Sequence, residues 1–581
     1  MPLMRTILTW FRRHPDRIQN LAFALCLGAA VLFALWKVPF GFGGGDEAFY
    51  LTIPRRLTMG DWLFRDEWHL SQLSGVLNVP FVWLFRTLSG GTDGILIAAR
   101  YVYVAFHALV GLCFYVRLRD CGWWAGAAGV CYFLFTPYDI MALSYNTMGL
   151  DFLLLSGVLF ATAKGRAPLL LSGLCLAACV LCCPYLAGAY LLYAGAVGLR
   201  RLRARRRPAG PDEILVPSRL LWLTVGAGLA AAGFLGYLLS TCGISGVLLN
   251  LPEMLRDPEH PPLSLSYKLG RYFKSVVWCH EGFPWVLACY ALMLLVLTLD
   301  RRRGRHRGRY LIVSCALSLV TGALFGPQLM DTYYNAVLFP LIFVSVSAYL
   351  LCENKPKSLF AGVFLGGAAY SLAVCLGSNQ YFYMISAASA VSNTAGLLFL
   401  GRVLKEMRDS PEYPRRGYRA ALAAAMALLA GVTFRLAEVK YTHCFWEESL
   451  PELTARIEDG PARGVRTTQY KADKYQMVYD DLEELCRDLP PGKLLCLTGY
   501  TPCFLMQDRM ECASFSAWMS GETPLTLNRL CRYYELNPAK VPDYIYLPDT
   551  SQFDRENVIA GALDHGYRLT RSENGCMLVR A

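Results

Sequence analysis

Apolar stretches about as long as a bilayer is thick recur from near the N-terminus to residue 437, separated by short runs rich in arginine. Such a chain has few ways to fold, because without water each stretch must satisfy its own backbone, and a bundle of helices does so. The stretches lie near 18–38, 94–118, 122–140, 147–164, 168–183, 185–200, 219–240, 284–300, 310–327, 334–352, 357–377, 383–404 and 418–437. We therefore expect a polytopic α-helical membrane protein with about thirteen transmembrane helices. Hydrophobic residues make up 55% of the chain and charged residues 17%, too few charges for an ordinary soluble enzyme of 581 residues. The net charge of +12 would suit a nucleic-acid binder, but the cations sit in runs such as Arg200–Arg207 and Arg301–Arg309 between apolar stretches. That is a topology signal, and no nucleic-acid partner is expected.

The charges also set the orientation. Arg5, Arg12, Arg13 and Arg17 precede the first stretch, which is a full span without a small-residue cleavage site and reads as an uncleaved first helix entered from the cytoplasm. Starting inside, the cytoplasmic connections are 117–122, 164–167, 200–219, 300–309, 353–357 and 402–419, which hold nearly every dense Lys/Arg cluster between spans. The opposite side receives 39–93, 241–284 and the tail from Glu438 to Ala581. The expected domains are thus a membrane domain, 1–437, and an extracytoplasmic domain, 438–581, of a cell-membrane protein. In the tail, β-like runs at Leu494–Thr498, Tyr544–Leu547 and Met577–Val579 alternate with helical patterns at Tyr475–Leu489 and Arg555–His565, the signature of a small soluble α/β domain. Most of the 21 cysteines fall in apolar stretches as small hydrophobes; those of the tail lack zinc-site spacing and define no pairing.

Directly after the first span, Gly41-Phe-Gly-Gly-Gly45 reads as a flexible run delivering Asp46 and Glu47 to the outer membrane boundary, followed by Tyr50. Partial desolvation there raises a carboxylate's basicity and suits it to take a proton from a hydroxyl. As a single residue, Asp46 fits better as the N-cap of a helix beginning at Ala48 than as a catalyst. Arg55 and Arg56 follow about two turns later, and in the second outer loop Lys268, Arg271 and Lys274 recur at helical spacing among Tyr267, Tyr272 and Phe273. These cations are candidates for gripping phosphate; an interfacial helix meeting lipid headgroups would look the same. Asp139, in the turn between spans three and four, is a further acidic candidate, with Tyr145 and Asn146 beside it able to hydrogen-bond a sugar. Gln328, Asp331, Tyr334 and Asn335 form another cluster suited to sugar recognition. Asp151 falls inside a span, where an unpaired charge costs about 2.5–3.5 kcal/mol, so it is expected to be paired, protonated or near the surface. The tail's Gly499-Tyr-Thr-Pro502 lacks the GxGxxG pattern and offers no nucleotide site.

With Asp46-Glu47 in this place, the chain resembles the C-type glycosyltransferase superfamily, in particular the branch of protein O-mannosyltransferases and lipid A aminoarabinose transferases. Members open their first outer loop with an acidic pair and an amphipathic juxtamembrane helix, matched here by Ala48–Met59. The aminoarabinose branch also has about thirteen spans and an outer C-terminal domain. The resemblance implies transfer of a sugar from a polyprenyl-phosphate carrier to a lipid, glycan or protein hydroxyl, with inversion. It maps the general base to Asp46, with Glu47 as fallback, and a second outer carboxylate to Asp139. The scheme needs no metal or other cofactor, and no metal-ligand spacing occurs near Asp46. Two other classes fit a many-span chain: a lipid or polysaccharide transporter, and a non-catalytic envelope assembly protein using its tail for docking. A transporter calls for charged or broken helices near the midplane, whereas most polar candidates here crowd one face.

Overall fold

The computed structural model describes residues 15–43, 45–203, 214–256, 263–278, 284–325, 337–378, 381–411, 413–519 and 523–581. Gln328, Asp331, Tyr334 and Asn335 lie outside them. The described chain opens with α1 (Pro15–Lys37), then two helices of the loop that follows it, α2 (Asp46–Thr58) and α3 (Gln72–Ser89). The bundle continues with α4 (Ile95–Leu118), α5 (Trp123–Leu134), α6 (Tyr145–Ala161), α7 (Arg166–Cys182), α8 (Ala187–Arg203) and α9 (Pro217–Ser240). After α10 (Gly243–Leu255) and α11 (Leu265–Trp278) come α12 (Pro284–Leu299), α13 (Arg303–Phe325), α14 (Leu338–Leu351), α15 (Lys357–Gly377), α16 (Tyr381–Asp409) and α17 (Arg415–Thr442). Every stretch expected to span is occupied by a helix. Among the described residues, six helices are long and apolar enough to cross a membrane, and further apolar helices are shorter, so this is a multi-pass membrane protein.

The bundle is organised around α16, whose apolar window is wholly buried. A helix buried on all sides must settle its polar groups within the protein. Asn393 Nδ2 donates to the Leu338 carbonyl of α14 at 2.7 Å, and Ser392 Oγ to Phe364 of α15 at 2.8 Å. Asp151 is paired, as its position in a span required: His107 Nδ1 and the Tyr132 hydroxyl both lie 2.8 Å from its Oδ1.

The tail forms a hairpin of β1 (Ala455–Arg456) and β2 (Arg466–Thr467), and a five-stranded sheet ordered β4-β3-β5-β7-β6. Its strands are β3 (Lys493–Cys496), β4 (Glu511–Cys512), β5 (Tyr544–Pro548), β6 (Tyr567–Arg571) and β7 (Gly575–Arg580). β3 pairs parallel to β4 and β5, while β7 pairs antiparallel to β5 and β6. Helices α18 (Gln469–Cys486), α19 (Cys503–Met506), α20 (Thr523–Leu536) and α21 (Arg555–Asp564) connect them. The described tail cysteines are free thiols.

The tail is bolted to the first outer loop. An amphipathic interfacial α2 was expected, yet α2 is buried along most of its length, from Glu47 to Arg56. Arg56 donates through Nε to Asp61 Oδ2 at 2.7 Å, through Nη1 to Glu67 Oε2 at 2.7 Å, and through Nη2 to the carbonyls of Asp66 and, at 2.9 Å, Ser514 of the tail. Lys540 of the tail reaches the other Asp61 oxygen at 2.5 Å. Burial alone would push the Asp61 carboxyl up; Arg56 and Lys540 together hold it below the usual range. Around this core, Tyr533 donates to the Asp66 carbonyl, Asn537 to that of Arg65, and Trp68 N–H to that of Phe515. Removing one member of a buried charge network strands its partners, at a cost of about 3–5 kcal/mol. Arg56→Ala is therefore expected to lower the melting temperature of the detergent-solubilised protein sharply and to open 61–67 to proteolysis; melting and cleavage like the wild type would refute that role.

Candidate functional site

The outer end of α1 and the head of α2 are tied together by Arg100, near the start of α4. All its donors are used: Nε to Glu47 Oε1 at 2.8 Å, Nη1 to the carbonyls of Val38 at 2.7 Å and Phe40 at 3.2 Å, and Nη2 to Gly41 at 2.5 Å and Glu47 Oε2. Glu47 is thus committed by both oxygens to a buried ion pair. Asp46, one residue earlier, faces elsewhere. It is not the N-cap of a helix starting at Ala48: α2 starts at Asp46 itself, and Gly45 is the cap, with φ +113°, and no side chain caps it. A glycine accepts that left-handed backbone at no steric cost, which leaves the aspartate oxygens outside the capping role.

Burial, and secondarily the neighbouring Glu47 carboxylate, push the Asp46 carboxyl up to about 6. Beside it stand Tyr50, one turn along α2, and Tyr145, at the head of α6. Their rings meet edge to face at 5.7 Å, and both lie within reach of the Asp46 charge. Asn146, next to Tyr145, is 3% exposed, and its Oδ1 has no hydrogen-bond partner among the described residues. A buried acceptor left open is costly, and a ligand hydroxyl or N–H is the natural group to fill it. The arrangement combines a carboxylate ionised at neutral pH, yet more basic than usual, with phenol and amide groups that can orient a hydroxylated substrate.

Asp139 sits in the short helical turn Pro137–Asp139 between α5 and α6, in a narrow cleft that it lines with Gly43, Glu47 and Arg100. Tyr138 and Asp139 have φ of +59° and +56°. Two consecutive non-glycine residues in the left-handed region store strain of the order of 1–3 kcal/mol each, which the surrounding packing must hold. Just before this turn, Thr136 Oγ1 accepts a hydrogen bond from Lys440 of α17 at 2.8 Å.

The candidate phosphate-binding cations separate. Arg55 and Arg56 point into protein: Arg55 Nη2 donates to the carbonyls of Gln507 and, at 3.0 Å, Met510, and its Nε lies 3.7 Å from Asp508. The tail covers α2, so cations read as facing lipid phosphate face peptide carbonyls and carboxylates instead. On α11, which packs against α15 and α16, Lys268 Nζ donates to the Leu376 carbonyl at 2.6 Å, whereas Arg271 and Lys274 lie on the exposed side. The structure thus brings Asp46, Glu47, Tyr50, Tyr145 and Asn146 together, with Asp139 in the adjoining cleft. Arg100 was not singled out in the sequence, although an arginine inside an apolar span is itself a signal of a buried partner. Among the described residues no group of three or more His, Cys, Asp or Glu is placed to hold a metal ion.

No family model matches this chain, and no curated protein matches it. Among solved structures it is similar to the archaeal oligosaccharyltransferase AglB from Archaeoglobus fulgidus in complex with an inhibitory peptide and a dolichol-phosphate, with 12% identity and a TM-score of 0.43 over 98% of this chain and 75% of that one. It is also similar to the Archaeoglobus fulgidus oligosaccharyltransferase tethered with an acceptor peptide, with 12% identity and a TM-score of 0.42 over 99% and 75% of the two chains.

Proposed function

We propose that this protein is a membrane glycosyltransferase that moves a sugar from a polyprenyl-phosphate donor to an extracytoplasmic hydroxyl, with inversion, using Asp46 as general base. The observation that carries the reading is the state of the acidic pair. Glu47 is ion-paired with Arg100 through both oxygens, while Asp46 is held at about 6 beside Tyr50, Tyr145 and the open Oδ1 of Asn146. In the reaction the acceptor O–H passes its proton to the Asp46 carboxylate as its oxygen bonds to the anomeric carbon. The bond from that carbon to the phosphate oxygen breaks, and the polyprenyl phosphate leaves with the electron pair. Tyr50, Tyr145 and Asn146 would orient the sugar or the acceptor, and Asp139 would serve as a second carboxylate in the adjoining cleft. For the donor phosphate the candidates are Arg271 and Lys274, on the exposed side of α11; the donors of Arg55 and Arg56 are drawn into the protein.

A lipid-linked donor is supported by the position of Asp46 where the chain leaves its first apolar helix, and by the lack of a nucleotide-binding glycine pattern after β3. The reading includes thirteen spans, an N-terminus in the cytoplasm and the tail outside. A helix on every expected span and the arginine-rich connections on one side support that topology.

A positioned general base contributes about 10²- to 10⁴-fold to rate. Asp46→Asn, with melting temperature and abundance unchanged, is expected to lose sugar transfer from a polyprenyl-phosphate donor by at least the smaller factor; undiminished turnover removes Asp46 as the base. Because the base works deprotonated, kcat/KM of the wild type should rise with pH through a midpoint near 6 and level off above it. A flat profile across that range would contradict the assignment.

A further inference from the structure

We infer that Thr501, in the soluble tail domain, is a positioning residue for Asp46, so that the tail is part of the catalytic apparatus and not only a docking module. The inference rests on Asp46 being the base. Thr501 lies in the loop that leaves the carboxyl end of β3, a strand parallel to both its neighbours, and such loops are where open sheets carry function. Its side chain is 2% exposed, and Oγ1 donates to the Gly45 carbonyl at 2.6 Å. The same carbonyl accepts the first helical bond of α2, from Phe49 N at 2.9 Å. The Gly45 peptide plane is therefore held from two sides, and because a peptide unit is rigid, that plane fixes the Cα of Asp46. The fit is close: a Cβ on Gly45 would come within 2.5 Å of the Thr501 hydroxyl and 3.8 Å of Pro502. A second tail loop grips the same turn of helix, the Trp518 ring lying edge-on to Phe49 at 5.7 Å, and Phe49 to His69 at 4.6 Å. Packing alone would be served by valine, which has the same shape; a buried hydroxyl costs free energy unless it is bonded.

The test uses the full-length protein in detergent and follows the protonated-carboxyl infrared band of Asp46 with pH, identified by its loss in Asp46→Asn. Glu47, Tyr50 and Tyr145 are the titratable groups that act on it. In Thr501→Val the first turn of α2 loosens and admits water, so the midpoint should fall from about 6 toward the ordinary carboxylate range. Thr501→Ser should restore it, with melting temperatures of all three proteins alike. A Thr501→Val titration superimposable on the wild type, or one that serine does not correct, overturns the proposal, as does the lack of any Asp46-dependent band. Should the valine variant not fold, Thr501→Ala removes the same hydroxyl without placing a methyl group against the Gly45 carbonyl. If instead the midpoint shifts as expected while Asp46→Asn retains sugar transfer, the positioning contact stands and the assignment of Asp46 as base fails.

Discussion

One guanidinium decides how this end of the bundle is built. Arg100 spends its donors on the carbonyls of Val38, Phe40 and Gly41, just past α1, and on both oxygens of Glu47. In a low-dielectric position neither the arginine nor the glutamate could be tolerated alone, since an unpaired buried charge costs several kcal/mol. Together they fix where the chain turns back over the bundle. They also engage both Glu47 oxygens and leave its carboxylate as a nearby negative charge, the secondary reason that the Asp46 proton is held more tightly. Two adjacent residues of almost the same chemistry thus acquire different surroundings from one ion pair.

The tail completes what the bundle begins. A short helix carrying two arginines would ordinarily lie in the interface with its cations among lipid headgroups. Here the tail covers it, and the contacts are specific: Arg86 to Asp508, Thr92 Oγ1 to the Leu505 carbonyl, and the buried Arg56, Asp61, Glu67 and Lys540 network. A site bounded by bundle and tail excludes water from Asp46 on more than one side, and that desolvation is the primary cause of its raised pKa.

What was legible in the sequence followed from local rules. Helix positions in the bundle came from the length of apolar stretches, and β3, β5, β7, α18 and α21 from periodicity. Asp46, Tyr50, Tyr145 and Asn146 stood out as polar groups, and the structure places them near one another. The strands β1, β2 and β4 were missed because two residues offer no pattern, and β6 because its sequence, Tyr-Arg-Leu-Thr-Arg, has no apolar run. Arg55 and Arg56 were candidates for phosphate because they follow the acidic pair by about two turns, a spacing that does not say whether water, lipid or protein meets them; their partners include carbonyls of residues 507–514, far along the chain. The left-handed Tyr138 and Asp139 carry no glycine to announce them.

The glycine run shows the same limit from the opposite side. Gly41-Phe-Gly-Gly-Gly45 reads as flexible, yet Gly41 N–H donates to Arg466 at 2.8 Å, and Arg466 N–H returns to Pro39 at 2.6 Å, adding the segment to the tail's backbone pairing. At Gly41, φ is +89° and a Cβ would lie 2.8 Å from that of Cys444; at Gly45, φ is +113° and the Thr501 hydroxyl fills the space. Gly41 and Gly45 are where two parts of the chain pass too closely for a side chain. A general base at Asp46, as proposed, gains from such fixed approaches, because misplacement by about 1 Å can cost on the order of a hundredfold in rate. In that proposal Gly41, Gly45, Arg100 and Thr501 all act on where α2 begins, and so on the position of a single carboxylate.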